Sequence, residues 1–233
     1  MGMRISTTAI EQGFILADAT LSPEPAWFDP AYWRSAGEGK PLGRGRGTTF
    51  SAGPQGQWVL RHFRRGGLPG RLVSDHYVWL GKALSRPVLE FRVLAELSDA
   101  GAPVPRPVAA RVQRSGPFYS GDILVERVPD AATLAELAPG LEIARWAETG
   151  RAIRRFHQAG GWHADLNANN VLITPDRVVI IDLDRGRSRC ANSGRQRANL
   201  SRLLRSLTKL QLMPAAEKGW RALLEGYEAV GGA

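Results

Sequence analysis

Residues 163–173 read HADLNANNVLI, and residues 178–186 read VVIIDLDRG. An Asp, an Asn five positions later and a second Asp seventeen positions after the first therefore fall on two neighbouring turns, each beside a short apolar run. These residue types suit phosphoryl transfer, whose loose transition state leaves the protein to align a hydroxyl and to neutralise phosphate charge. Asp165 can take the proton of an acceptor hydroxyl or hydrogen-bond it into line. Asn170 offers a neutral oxygen and Asp182 an anionic one. Magnesium takes a few such hard ligands and completes its shell with phosphate and water. The plainer reading of DLN is an Asx turn ahead of a strand. The shared spacing, the flanking runs and the second acidic turn favour the chemical one. Asp184 is either a further support of the metal or a partner for Arg185 or Arg187.

The elements that must position these turns can be read around them. The apolar runs at 171–173 and 178–181 pair as strands. Residues 141–158 form a helix with Ile143, Trp146, Ile153 and Phe156 on one side, and Gly160 and Gly161 stop it just before the first turn. His157 falls on the helix end and reads as structural, and His163 reads as a brace for the turn rather than a base. The last helix is expected at 198–212, with Leu200, Leu203, Leu204, Leu207 and Leu210 in one stripe. Its Arg202, Arg205 and Lys209 lie elsewhere, with Arg195 and Arg197 upstream. That basic face either meets acidic lipid or substrate or is simply solvated.

The first 35 residues are loosely patterned, with Trp27, Phe28, Tyr32 and Trp33 covering a core. Gly43, Gly45 and Gly47 then precede a strand, a hairpin and a second strand at 58–63. Such a loop can bring backbone N–H groups to a triphosphate, or it can be plain flexible loop. A phosphate-clamping lysine is expected about a dozen residues further on. The sequence has Arg61 there, with Arg64 and Arg65 as competitors. Residues 86–100 form a helix on Val88, Phe91, Leu94, Ala95 and Leu97, ended by Gly101 and Pro103. Glu90 on that helix can pair with the strand cation, and Glu96 is the alternative. Further strands at 104–112 and 122–128 lead to a hinge, where backbone groups of Glu126 and Val128 can meet adenine. The expected architecture is α+β and two-lobed: a small antiparallel β lobe at 1–128 that binds ATP, and a reduced, mainly helical catalytic lobe at 129–233.

Composition sets the partners. The chain has 233 residues, enough for a real core. Its 31 Lys+Arg against 22 Asp+Glu give a net charge of +9, and the pI is about 10.5. An anionic partner follows from that balance: nucleic acid, an acidic membrane surface or a phosphorylated glycolipid. The one cysteine, Cys190, excludes a disulfide framework within the chain. No apolar run approaches the roughly 18 residues of a membrane span. Met1–Ser6 fits a myristoylation pattern, which is discounted as a chance match.

The motifs together resemble the bacterial 3-deoxy-D-manno-octulosonic acid (Kdo) kinases of lipopolysaccharide assembly, within the protein-kinase-like fold. The resemblance spans about residues 40–215. It rests on GRGRG, VLRHFRRGGL, SRPVLEFRVLAELSDAGAPVPRPVAA, HADLNANNVLI, IDLDRGR and ANLSRLLRSLTKL. It implies ATP- and Mg2+-dependent phosphorylation of a Kdo hydroxyl, generally O-4, on a Kdo-lipid A type glycolipid. It also implies peripheral residence at the cytoplasmic face of the inner membrane, with no nucleic-acid partner and the oligomeric state left open. By the motif match, Asp165 is the catalytic residue and Asn170 and Asp182 hold the metal. Arg61 in VLRHF departs from the lysine of general protein kinases. About 47 residues follow Gly186, too few for a long activation segment and a peptide-binding lobe. Arg64, Arg65 and Arg71, with Leu68, Leu72, Tyr77, Trp79 and Leu80, form either an interfacial segment or inward packing. Two other readings stand beside this one: a kinase for another small acceptor, such as a heptose or an aminoglycoside, and a non-catalytic basic module that binds RNA or membranes.

Overall fold

The computed structural model describes residues 2–42, 49–64 and 76–229. It divides into two compact units, one of residues 1–95 and 106–127, the other of 96–105 and 128–233.

The first unit is built on an antiparallel sheet. Its strands are β1 Ile5–Ile10, β2 Gly13–Asp18, β3 Pro41–Leu42, β4 Thr49–Ala52, β5 Trp58–His62, β6 Tyr77–Val78, β7 Pro107–Ser115 and β8 Phe118–Glu126. They run in the order β1-β2-β7-β8-β5-β4-β3, with β6 added against β8. The short helix α1 (Pro30–Ser35) begins where the Asp29 carboxylate accepts the Ala31 N–H. Helix α2 (Arg86–Asp99), of which residues 86–95 belong to this unit, buries Val88, Phe91, Leu94, Ala95 and Leu97, the stripe that its spacing predicts. Trp33, Phe28 and Trp58 pack with Ile15, Leu60 and Leu124 in one cluster, with Trp27 partly buried against it, so three of the four early aromatics cover the core, whereas Tyr32 is exposed. The β1–β2 hairpin was not foreseen in the loosely patterned first 35 residues. Strand β1 (ISTTAI) is mostly exposed, and its weak patterning reflects an edge that buries little.

The second unit holds β9 Ala132–Thr133, α3 Leu134–Leu137, α4 Ile143–Gln158, β10 Val171–Ile173, β11 Val178–Ile180, α5 Ser193–Lys209 and α6 Met213–Ala229. Its small sheet has the order β11-β10-β9. The expected last helix is corrected on two counts. It starts earlier, at an Asn192 cap whose side chain accepts the Arg195 N–H, and a further helix, α6, follows it. Glycines weaken α6 locally, so it depends on packing. A Cβ on Gly150 of α4 would stand 1.9 Å from the Leu223 carbonyl oxygen, and one on Gly226 of α6 would stand 2.1 Å from that of Ala147. The two helices therefore touch backbone to backbone.

Gly150→Ala tests this contact. Helix propensity alone favours Ala by about 1 kcal/mol, but overpacking against a fixed carbonyl costs about 1–3 kcal/mol. The clash is expected to win, with a fall of several degrees in Tm measured by calorimetry.

Candidate active site

The Asp165 turn is held from both sides by strand and helix. After α4, Gly160 takes a φ of +85° and lets the chain reverse. Trp162 and Arg187 then exchange backbone hydrogen bonds at 2.9 Å. Strands β10 and β11 pair Val171 with Ile180. One step beyond, the Ile181 N–H donates to the Asn170 carbonyl at 3.0 Å, which sets Asn170 beside the segment that carries Asp182. Asp182 has a φ of +62°, a left-handed conformation uncommon outside glycine but tolerated by Asp.

His163 joins the two turns. It is 1 % exposed. Its Nδ1 accepts the Asp165 N–H at 3.0 Å, and its Nε2–H donates to the Ile181 carbonyl at 2.9 Å. Both bonds require the neutral ring, and burial lowers its pKa accordingly. The Asn167 amide donates to the Asp165 carboxylate at 3.1 Å, and the Asn170 Nδ2 donates to the Asp165 carbonyl at 3.0 Å. Asp165 and Asp182 are themselves exposed.

The donor chemistry fits magnesium. The Asn170 amide nitrogen is committed to a carbonyl, so its oxygen is the atom that would face a cation, and Asp182 would add an anionic oxygen. Among the described residues no three His, Cys, Asp or Glu gather as a closed metal cage.

Asn199 was not foreseen. It is fully buried on α5. Its side-chain oxygen accepts the His163 N–H at 3.1 Å and the His157 Nε2–H at 3.2 Å, and its Nδ2 donates to the His163 carbonyl at 2.6 Å. The Tyr227 hydroxyl of α6 donates to His157 Nδ1 at 2.8 Å. Seven residues along α5, the Ser206 hydroxyl accepts the Ala168 N–H at 2.9 Å. A signal for Asn199 existed: it is a lone amide at helical spacing from Leu203 and Leu207. Beside the turn, Asp165, Asn167, Asn169, Arg202, Arg205, Ser206, Lys209 and Leu210 line a pocket of about 560 Å³.

In the first unit, the Arg61 guanidinium on β5 is ion-paired with the Glu90 carboxylate on α2. Glu90 is 3 % exposed, and Arg61 also lies over the Phe63 ring at 4.8 Å. Glu96, the alternative, instead bonds Ser188 and Arg189 within the second unit. Glu126 ends β8, where its N–H donates to the Arg106 carbonyl at 2.8 Å, and Val128 opens the long stretch of the second unit. Gly43, Gly45 and Gly47 lie outside the described residues, as do Arg65, Leu68, Arg71 and Leu72. Of the expected interfacial side chains, Tyr77 is buried and stacked on Tyr119, whereas Leu80 is 71 % exposed.

The sequence pattern of the lipopolysaccharide kinase (Kdo/WaaP) family matches residues 32–227. The chain belongs to this family. It is 40% identical over 215 residues to a 3-deoxy-D-manno-octulosonic acid kinase of Vibrio vulnificus strain YJ016, covering 89% of this chain and 91% of that protein. A protein of the same name from Stenotrophomonas maltophilia strain K279a is 44% identical over 193 residues, covering 81% and 76%. Among solved structures, WaaP in complex with acyl carrier protein aligns with a TM-score of 0.57 at 18% identity, covering 90% of this chain and 88% of that one. A choline/ethanolamine kinase family protein from Mesorhizobium loti aligns at 0.56 and 16%, covering 86% and 72%. The α+β, protein-kinase-like fold of this family member thus agrees with the expected class.

The buried histidines make stability depend on pH. Burial pushes His157 from 6.5 down to about 4, so the unfolded chain binds the proton more readily than the folded one. The neutral ring's stabilisation is complete above pH 6.5 and is lost as pH falls toward 4, by roughly 3 kcal/mol. Urea midpoints measured between pH 7 and 4 are expected to fall steeply, and His157→Gln to flatten that slope.

Proposed function

We propose that the chain transfers the γ-phosphoryl group of ATP to a hydroxyl, O-4 by family resemblance, of a Kdo residue on a Kdo-lipid A type glycolipid. The observation that carries this reading is the likeness, along most of the chain, to proteins named Kdo kinase, joined to the ordered Asp165, Asn170 and Asp182 turns. Asp165 aligns the acceptor hydroxyl, with its carboxylate steadied by Asn167 and its backbone by His163. As the acceptor oxygen bonds to the γ-phosphorus, the bond to the β-phosphate oxygen breaks. ADP departs, and the hydroxyl proton passes to Asp165 and then to solvent. Asn170 and Asp182 would hold the metal. Magnesium, when bound, neutralises phosphate charge. Arg61, fixed by Glu90, serves the phosphates in place of lysine, the 43–47 glycine loop covers them, and backbone groups of Glu126 and Val128 meet the adenine.

Three cations line the pocket that Asp165 shares, which favours an acidic acceptor over a polycationic aminoglycoside. The reading also places the protein peripherally at the cytoplasmic face of the inner membrane. In support, no described helix is long and apolar enough to cross a membrane, and the net charge of +9 suits an anionic surface.

Mass spectrometry of Kdo-lipid A after incubation with enzyme, ATP and magnesium tests the reading. A product heavier by one phosphoryl group is expected, and unmodified acceptor would reject the Kdo assignment. Asp165→Asn is expected to keep the wild-type Tm and to lose about 10²–10⁴ in kcat. Undiminished transfer by that variant would remove Asp165 from its role.

A further inference from the structure

We infer that Arg202 is the residue that binds the carboxylate of the acceptor sugar, and that Arg205 and Lys209 extend the same anion-binding row outward along α5. The inference rests on the Kdo reading above and deepens it.

Arg202 is placed for this role. Helix α5 is fastened to the Asp165 turn at two points, by Asn199 to both backbone groups of His163 and by Ser206 to the Ala168 N–H. Arg202 is three residues after the first point and four before the second, so all three share one helix face. Arg202 is thereby held against the turn, and it lines the same pocket as Asp165. Its charge is felt there, since it opposes protonation of His163.

Arg202 also carries an unmet hydrogen bond. The Arg202 Nη1 is buried and has no hydrogen-bond partner among the described residues. A buried donor without an acceptor is costly and calls for an explanation; Nη1 is closed to solvent, so a pocket occupant completes it only when the Arg202 side chain turns toward the pocket that it lines. A guanidinium fork matches a carboxylate through two parallel N–H···O bonds. Kdo glycosides keep a carboxylate on the ring that bears the reacting hydroxyl, so one small acceptor can reach both Asp165 and Arg202.

The row is longer than one sugar. Positions 202 and 209 are separated by about 10 Å along a helix, longer than one sugar ring. Arg205 and Lys209 therefore suit further negative groups on the acceptor, which a neutral heptose lacks.

The test is a binding titration, separate from turnover. Ligand-observed NMR would compare the methyl glycoside of Kdo with its methyl ester, which keeps every hydroxyl and loses only the charge. Wild type is expected to bind the acid about tenfold or more tightly than the ester, the worth of one charge-assisted pair. Arg202→Gln is expected to bind the two alike, and Arg202→Lys, which keeps the charge without the fork, to fall between them. The glutamine variant should melt no lower than wild type; if it fails to fold, the lysine variant carries the test. Equal binding of acid and ester by wild type, or discrimination retained in Arg202→Gln, would overturn the inference. So would a loss in that variant seen only as weaker binding to phosphatidylglycerol vesicles, which would assign the row to lipid. The mass-spectrometric assay on wild type judges the Kdo reading independently. Its failure beside a positive titration would leave the subsite standing and reject the reaction.

Discussion

His163 can hold the Asp165 turn only as a neutral ring with its proton on Nε2. Its unprotonated nitrogen receives the Asp165 N–H, and its protonated one grips the Ile181 carbonyl, one residue before Asp182. Two turns that are separate in sequence are thus referenced to a single planar group. Asn199 fixes that group in turn by bonding both the N–H and the carbonyl of His163, His157 bonds Asn199, and Tyr227 bonds His157. In a dry interior such a chain is strong when every member is satisfied and costly when one is not. The exposed carboxylates that face solvent are therefore carried on a buried, uncharged framework.

The first unit solves a different electrostatic problem. Glu90 is almost fully buried and is held by an arginine from the neighbouring strand. A guanidinium remains charged at any working pH and offers several directed N–H groups. It can satisfy a buried carboxylate and still present charge elsewhere, whereas a lysine has a single compact head. The arginine that this chain carries in VLRHF is physically intelligible on that basis.

What was legible in the sequence follows from range. The Asp165, Asn170 and Asp182 spacing is local, and so is the helix stripe of Val88, Phe91, Leu94 and Leu97. Both could be read from nearby residues. The Arg61–Glu90 pair became legible because two local patterns each offered one partner. Asn199, by contrast, works on His163 from 36 positions away, and Tyr227 on His157 from 70. Neither is marked by its neighbours beyond an amide in an apolar stripe. Helix α6 was hidden for a related reason. Gly219 and Gly226 lower its intrinsic propensity, and its stability comes from fitting against Trp146 and Ala147 of α4. Strand β1 has little burial to write into its pattern.

The α4–α6 contact also divides the second unit by its freedom to change. Where helices meet through bare backbone at Gly150 and Gly226, no side chain remains to be traded for another size, so that pair acts as a fixed pillar. Arg205 and Lys209 on α5 are exposed, and nothing in the core constrains their identity. Substitution along that outer row therefore leaves the packing of α4 on α6 untouched.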